Sequence, residues 1–146
     1  MIHIESKINI KRAPADIFAF ITNFENNPQW QSGMISARFT SDPPIGVGST
    51  YTQVARFLGR RIDSNFVVVD YEPGRLVKIT TISGSFPITV TRSVEPAGEG
   101  STVRAIVEGD SSGFFKLAEP LMRRMVQSSV ISDYARLKEL LESEEA

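Results

Sequence analysis

The sequence predicts an α+β fold in which a curved antiparallel sheet of about seven strands wraps around one long C-terminal helix. Three observations predict it: strand-like segments follow one another from Ile35 to Glu108, turn signals separate them, and one amphipathic pattern covers Gly113 to Glu145. A curved antiparallel sheet has one apolar face to cover, and this helix is expected to cover most of it. A cavity between the helix and the sheet is the expected result.

The first elements precede the main part of the sheet. Isoleucines alternate with polar side chains over residues 2–10, which is the period of a strand with one buried face. Pro14, favoured in a first helical turn, opens a short helix that ends near Asn23. The segment from Phe24 to Trp30 is predicted as a turn or a second short helix. The six strand-like segments and the long helix follow, so the predicted order is β-α-α-β6-α.

Composition limits the function classes. The chain has 146 residues, 41% of them hydrophobic, which is enough for one domain over residues 1–146 with its own core. The 16 basic and 17 acidic side chains nearly cancel, so nucleic acid is not an expected partner. The longest apolar run, Phe66 to Val69, is too short to insert in a membrane. The absence of cysteine fits a reducing compartment, and we expect a cytoplasmic protein.

The sequence offers no motif for catalysis, for a metal or for a cofactor. Without cysteine there is no thiolate nucleophile, and His3, the only histidine, points outward by alternation with its neighbours. The glycines at 46 and 48 precede a strand, so they lack the helix N-terminus that phosphate binding needs. No catalytic residue, metal ligand or cofactor is therefore predicted.

The hairpin turns predict a register, because the position numbers of paired residues in a hairpin add to a constant. The predicted turns are Leu58-Gly59, the four residues from Glu72 to Arg75, Gly84-Ser85, and a turn centred on Gly98. They place three rows across one face: Ser49, Val68, Ile79, Val90 and Ile106; then Tyr51, Phe66, Thr81, Ile88 and Glu108; then Val47, Asp70, Val77, Arg92 and Arg104.

The long helix is predicted to lie over these rows. Its apolar stripe contains Met122 and Met125, flexible side chains that adapt to variable shapes, and also the polar Ser129 and Asp133. Pro120 falls inside the helical pattern, so the helix either kinks there or starts afresh at that residue.

The rows and the helix together give the candidate ligand-binding residues. These are Trp30, Tyr51, Phe66, Val68, Ile79, Ile88, Val90, Arg92, Arg104, Ile106, Glu108, Met122, Met125 and Ser129.

Several of these candidates have two interpretations. Arg92 and Arg104 either snorkel to water at the rim of the sheet or anchor an anionic ligand. Glu108 is either solvated near a loop or a proton donor or acceptor with a raised pKa. Trp30 and the methionines either fill the core or line a pocket.

Six segments resemble a known family. They are "RAPADIFAFITN" at 12–23, "NNPQW" at 26–30, "GVGSTY" at 46–51, "DYEPGRLV" at 70–77, "EPAGEGSTV" at 95–103 and "ARLKELLE" at 135–142. With them the chain resembles the START-related (SRPBCC) superfamily, in its polyketide cyclase/dehydrase-like branch, over nearly its whole length. The resemblance implies the helix-grip fold and a pocket between sheet and helix for a lipid, sterol, quinone or polyketide-like molecule. The segments are structural and carry no catalytic fingerprint.

Three functional hypotheses follow. The first is a binding or carrier domain for a small hydrophobic ligand with a polar or acidic group. The second is a cyclase- or dehydratase-type enzyme that uses Arg92, Arg104, Asp70 or Glu108 as acid–base groups. The third is a protein-interaction or regulatory module with an exposed apolar groove. A homodimer through a sheet edge or a helix face is compatible with the sequence, although no feature demands it.

Overall fold

Seven strands form one antiparallel sheet. A computed structural model describes residues 2–57, 59–83, 87–109 and 119–143, with the backbone alone at Phe57, Glu119 and Met122. The strands are β1 (Ile2–Ile10), β2 (Met34–Phe39), β3 (Thr50–Phe57), β4 (Arg60–Glu72), β5 (Leu76–Ser83), β6 (Ile88–Ala97) and β7 (Gly100–Gly109). Their order in the sheet is β1-β7-β6-β5-β4-β3-β2, so every neighbouring pair except β1 and β7 is consecutive in the chain.

The helices pack on one face of this sheet, its inner face. They are α1 (Pro14–Thr22), a 3₁₀ turn (Phe24–Asn26), α2 (Asn27–Trp30) and α3 (Glu119–Ser143). The predicted α+β class and the order β-α-α-β6-α are confirmed. Residues 110–118 and 144–146 lie outside the described residues, and with them the helix start predicted at Gly113. None of the helices in the described ranges is long and apolar enough to cross a membrane.

The short helices share the inner face with α3, whereas the sequence predicted that one helix covers most of it. Ile17, Phe18 and Ile21 of α1 are buried, as are Phe24 of the 3₁₀ turn and Trp30 of α2. The rings of Phe18 and Tyr71 lie 5.7 Å apart, which ties α1 to β4. The covering layer is therefore built from both ends of the chain.

Two hairpin registers agree with the predicted turns, and a third, between β4 and β5, agrees in part. Tyr51 pairs with Phe66 in the β3–β4 hairpin, and Val68 pairs with Ile79 between β4 and β5. Ile79 also pairs with Val90 of β6. These residues are buried on the inner face, as predicted. The turn predicted at Gly84-Ser85 lies outside the described residues.

The predicted register of the last hairpin is wrong by one residue. Gly98 and Glu99 form a two-residue turn, so Ala97 pairs with Gly100, Val90 with Val107 and Arg92 with Ala105. Since successive strand residues face opposite sides, this shift turns all of β7 over. Val103, Ala105 and Val107 are buried on the inner face, and Arg104, Ile106 and Glu108 lie on the outer face. The assignment of these last three residues to the inner face is therefore corrected.

A β-bulge at Val69 corrects a second part of the register. The register shifts between Val68 and Asp70, so that Asp70 pairs with Lys78, and Tyr71 rather than Asp70 pairs with Val77. Glu72 pairs with Leu76, which leaves a three-residue loop in place of the predicted four, with Gly74 at a φ of 75°. An extra residue in one strand of a pair produces such a shift. Asp70 is exposed and does not belong to the inner face.

The C-terminal half of α3 is fastened to the end of β1. The Lys11 amide donates to Glu142 Oε2 at 2.9 Å, and Arg12 Nη1 donates to the Leu141 carbonyl at 2.7 Å. Lys138 Nζ donates to the Asn9 carbonyl at 2.7 Å and to Glu142 Oε2 at 2.8 Å. α3 therefore runs along β1 with its C-terminus at Lys11 and its N-terminal half toward Ile2.

Candidate functional site

The inner face of the sheet consists of rows that run across the strands. The row nearest the N-terminal half of α3 contains Ile2, Ile88, Thr81, Phe66 and Tyr51. The next row contains Ile4, Val107, Val90, Ile79 and Val68. The third contains Ser6, Ala105, Arg92 and Val77. An apolar face with one charged residue thus lies beneath the helices.

Burial changes along α3. In its C-terminal half Tyr134, Leu137 and Leu141 are buried, with Leu137 at 0% exposure. Val126, one turn before the buried Val130, is only partly buried, and so are Met125 and Ser129. On the facing end of the sheet Thr81 and Ile88 are partly buried as well. The helix therefore seals the core at one end and leaves apolar surface uncovered at the other.

Arg92 lies in the third row and is buried, with 6% of its surface exposed. Its Nε donates a hydrogen bond of 2.8 Å to the Tyr134 hydroxyl on α3. Its Cζ lies 5.2 Å from the centre of the Trp30 ring, within the range of a cation–π interaction. The Trp30 ring meets the Tyr134 ring edge-on at 5.0 Å. The sheet, α2 and α3 are therefore in contact through the guanidinium of Arg92.

Four polar side-chain atoms of the described residues are buried without a hydrogen-bond partner. They are Arg92 Nη1, Trp30 Nε1, Asn27 Oδ1 and Gln31 Nε2. Buried polar groups are nearly always paired, because an unpaired group loses its bonds to water without replacement. The Arg92 guanidinium packs over the Trp30 ring, so Arg92 Nη1 and Trp30 Nε1 belong to one cluster of side chains.

Asp133 is the acidic group beside this cluster. Its Oδ1 accepts a hydrogen bond of 2.9 Å from the Ser32 amide. Burial raises the pKa of Asp133, while the bond from Ser32 and the charges of Arg92 and Arg136 act in the opposite direction. Within the described residues no carboxylate lies within ion-pair distance of Arg92. Asp133 therefore influences Arg92 through space without a direct ion pair.

Aromatic rings line the side of the inner face toward β2. Tyr51 is fully buried and lies between Phe24, at 4.2 Å, and Phe66, at 5.1 Å, with both rings stacked on it. Burial raises the pKa of the Tyr51 hydroxyl far above its ordinary value, although the charge of Arg92 opposes this effect. Tyr51 is therefore a neutral wall residue throughout the physiological pH range.

Most of the predicted ligand-binding residues lie on the helix-covered side. Trp30, Tyr51, Phe66, Val68, Ile79, Val90 and Arg92 are buried there, and Ile88, Met125 and Ser129 are partly buried. The Met122 side chain lies outside the described residues. On the outer face Glu108 Oε2 lies 3.7 Å from His3 Nδ1, and Arg104 is exposed.

Tyr134 belongs to the Arg92 cluster, and the sequence reasoning missed it. Its position, four residues after Val130 and three before Leu137, places it in the buried stripe of α3. That spacing would have found Tyr134, but the adjacent Asp133 was assigned to the stripe in its place. The Tyr134 hydroxyl is what holds Arg92.

A separate cleft of about 410 Å³ lies between α1, β2 and the loop that leads to β3. Thr22, Phe39 and Ile45 contribute to its walls, together with Ser41 and Ser49. Arg92 does not line this cleft, so it is distinct from the region beneath α3.

The polyketide cyclase / dehydrase and lipid transport family model matches residues 1–142. No curated protein sequence matches the chain. The fold is similar to that of TTHA0849 from Thermus thermophilus, with a TM-score of 0.84 and 16% identity over 99% of both chains. It is similar to the ZhuI aromatase/cyclase from Streptomyces sp. R1128, with a TM-score of 0.80 and 7% identity over 99% of this chain and 95% of that one. Ara h 8.0201 matches with a TM-score of 0.69 and 18% identity over 95% and 97%. At these identities the likeness describes the fold.

Proposed function

Because the chain belongs to the polyketide cyclase / dehydrase and lipid transport family, we propose that it binds or carries a small hydrophobic ligand between the inner face of the sheet and α3. The ligand class is that of lipids, sterols, quinones and polyketide-like molecules. Membership of this family implies such a cavity, and the wall residues of this chain have the matching chemistry.

The change in burial along α3 carries the proposal. Val130 and Leu137 are buried in the sealed half of the helix, whereas Val126 is only partly buried although it follows the same stripe. An apolar side chain that faces a core but stays partly exposed keeps apolar area that a bound ligand can remove from water. Ile88 of β6 is also a partly buried apolar residue on the inner face, so an apolar molecule would gain contacts with both side chains.

Uptake of a neutral fluorescent ligand tests the proposal. We expect delipidated protein to bind 1-aminoanthracene saturably at one site, with an increase in fluorescence. Val126→Trp places an indole in the proposed space and should lower the affinity at least about tenfold. Ile131→Trp is the matched control, because Ile131 is 60% exposed on the same helix. Absence of saturable uptake, or equal affinity in the two variants, would overturn the proposal.

A cyclase- or dehydratase-type activity is the second candidate. Asp70, Arg104 and Glu108 no longer support it, since they do not lie on the inner face. Arg92 and the neighbouring Asp133, whose pKa is raised by burial, are the groups of the inner region that favour it. Turnover that is lost in Arg92→Met while ligand uptake persists would support this activity.

The compartment and the partners are part of the proposal. The lack of cysteine is the reason for proposing the cytoplasm. A homodimer and a protein-interaction role stay predictions, and native mass spectrometry would report the subunit count and any copurified molecule together.

A further inference from the structure

Among the described residues, Arg92 is a buried cation with no carboxylate within ion-pair distance. A guanidinium remains charged at all physiological pH values and carries five N–H donors. Of these donors Nε is bound to the Tyr134 hydroxyl, which is neutral, and Nη1 is enclosed without any acceptor. The inner-face neighbours Val77, Val90 and Ala105 are apolar. Fully buried charges are rare unless paired, because desolvation of an isolated ion is costly.

A second donor without an acceptor lies against the same guanidinium. Trp30 is 1% exposed, its ring packs against Arg92, and its Nε1 has no hydrogen-bond partner. The indole N–H can only donate, like the guanidinium. Two groups that only donate are therefore enclosed together, and the chemistry that complements them is an acceptor with negative charge.

The charge and shape of the site favour a carboxylate. One guanidinium neutralises one negative charge, whereas a phosphate monoester carries up to two at neutral pH. The planar fork of arginine matches the two oxygens of a carboxylate. A monoanionic carboxylate would thus replace the missing counter-ion without adding an unpaired charge.

The position of Arg92 predicts the shape of the rest of the ligand. Ile88, at the partly uncovered end, and Arg92 are on the same strand and the same face. Four residues of extended strand span about 13 Å. Val90, on the same face between these two ends, is apolar, and its row neighbours Ile79 and Val68 are buried in the core.

We propose that Arg92 and Trp30 bind the carboxylate of an amphipathic monocarboxylic acid, whose apolar body extends along the inner face toward Ile88. This inference rests on the proposed function and adds the chemical class and orientation of the ligand.

Matched acids and alcohols test the inference. The pairs are decanoate with 1-decanol, and anthracene-2-carboxylate with 2-(hydroxymethyl)anthracene, each pair having the same apolar body. We expect the wild-type protein to bind at least one of the acids at least about tenfold more tightly than its alcohol in calorimetric titration. In Arg92→Met the ratio of the two affinities should fall to about one.

Trp30→Phe gives a milder second variant, because it removes the N–H donor and keeps a ring beside Arg92. It should lower the preference for the acid over the alcohol several-fold. Near-ultraviolet circular dichroism checks the fold of both variants, and if Arg92→Met does not fold, Trp30→Phe decides.

The outcomes separate this inference from the proposed function. Equal binding of acid and alcohol by the wild type, or a preference that stays unchanged in Arg92→Met or, where that variant does not fold, in Trp30→Phe, would overturn the inference alone. Failure of every probe, including 1-aminoanthracene, would overturn both.

Discussion

Arg92 Nε and the Tyr134 hydroxyl are joined by a hydrogen bond of 2.8 Å that links the centre of the sheet to the middle of α3. Neither residue is near the other in the chain, and both are buried. The bond therefore restrains the distance between α3 and β6 at this position. The predictions below concern this point and the packing around it.

Tyr134→Phe should destabilise the protein by about 1–3 kcal/mol, because it leaves a buried guanidinium N–H without its acceptor. Urea unfolding measures the change. Tyr71→Phe is the control, with an expected change within about 0.5 kcal/mol, since Tyr71 has no hydroxyl bond among the described residues. In an Arg92→Met background the effect of Tyr134→Phe should largely disappear. An equal cost in both backgrounds would show that the bond is not its source.

Asp133→Asn should stabilise the protein increasingly as the pH rises from about 4 to about 7. Burial raises the pKa of Asp133 in the folded state, so its contribution to stability is full below its unfolded pKa and is lost as the pH rises through the folded value. Asparagine keeps an oxygen for the Ser32 amide and does not ionise. Thermal unfolding of both proteins across this range measures the difference, and a constant difference would contradict the prediction.

Glu142→Gln should show the opposite pH dependence. Hydrogen bonds from Lys138 and from the Lys11 amide lower the pKa of Glu142, so its contribution is present above the unfolded pKa and is lost as the pH falls through the folded one. The loss at neutral pH should be at most about 1 kcal/mol, since the pair is partly solvated. By about pH 3 the variant and the wild type should converge. Glu139→Gln, an exposed change on the same helix, should alter little at either pH.

Two valines of α3 provide a matched test of the sealed and uncovered halves. Val130→Ala should cost about 2 kcal/mol, because it removes buried methyl groups and leaves a void. Val126→Ala should cost less than about 1 kcal/mol, since Val126 already has solvent access. Chemical unfolding compares them. Equal costs would mean that the helix is sealed along both halves.

Gly100→Ala should cost at least about 2 kcal/mol. A Cβ at Gly100 would lie 2.3 Å from the Ile10 carbonyl oxygen and 2.9 Å from Lys11 Cα, and backbone at these positions cannot move cheaply. Gly46→Ala is the control, because a Cβ there meets nothing within 4 Å. A similar melting temperature for the two variants would contradict this account.

Most of the fold could be predicted because local signals agree with it. Leu58-Gly59 sets the pairing of Tyr51 with Phe66 directly. The bulge at Val69 could not be predicted, since an extra residue leaves no signal in the turn that follows it.

The orientation of β7 was predictable but was missed. In β7, Val103, Ala105 and Val107 face inward. This alternation places both charged residues of the strand, Arg104 and Glu108, on the outer face. The prediction relied instead on a turn centred on Gly98, and the adjacent apolar pair of Ile106 and Val107 hid the alternation. Charge placement was the better guide to this register.

The site was predictable only in part. The inward position of Arg92 follows from the hairpin that pairs it with Val77. Its contacts with Trp30 and Tyr134 depend on where α2 and α3 pack, which no local signal in the chain determines.

The pairing of β1 with β7 joins Ile2 to Gly109, across most of the chain. Strands β2 to β7 form by consecutive hairpins, which close short loops and gain contacts early. β1 pairs with β7 and with no strand that is adjacent to it in the chain. Pairing β1 with β7 closes a loop of most of the chain, and the contacts of β1 with β7 and α3 offset this loss of entropy. We expect β1 to join the sheet last during folding. On the ribosome, β1 would therefore wait, unpaired, until β7 and α3 have emerged.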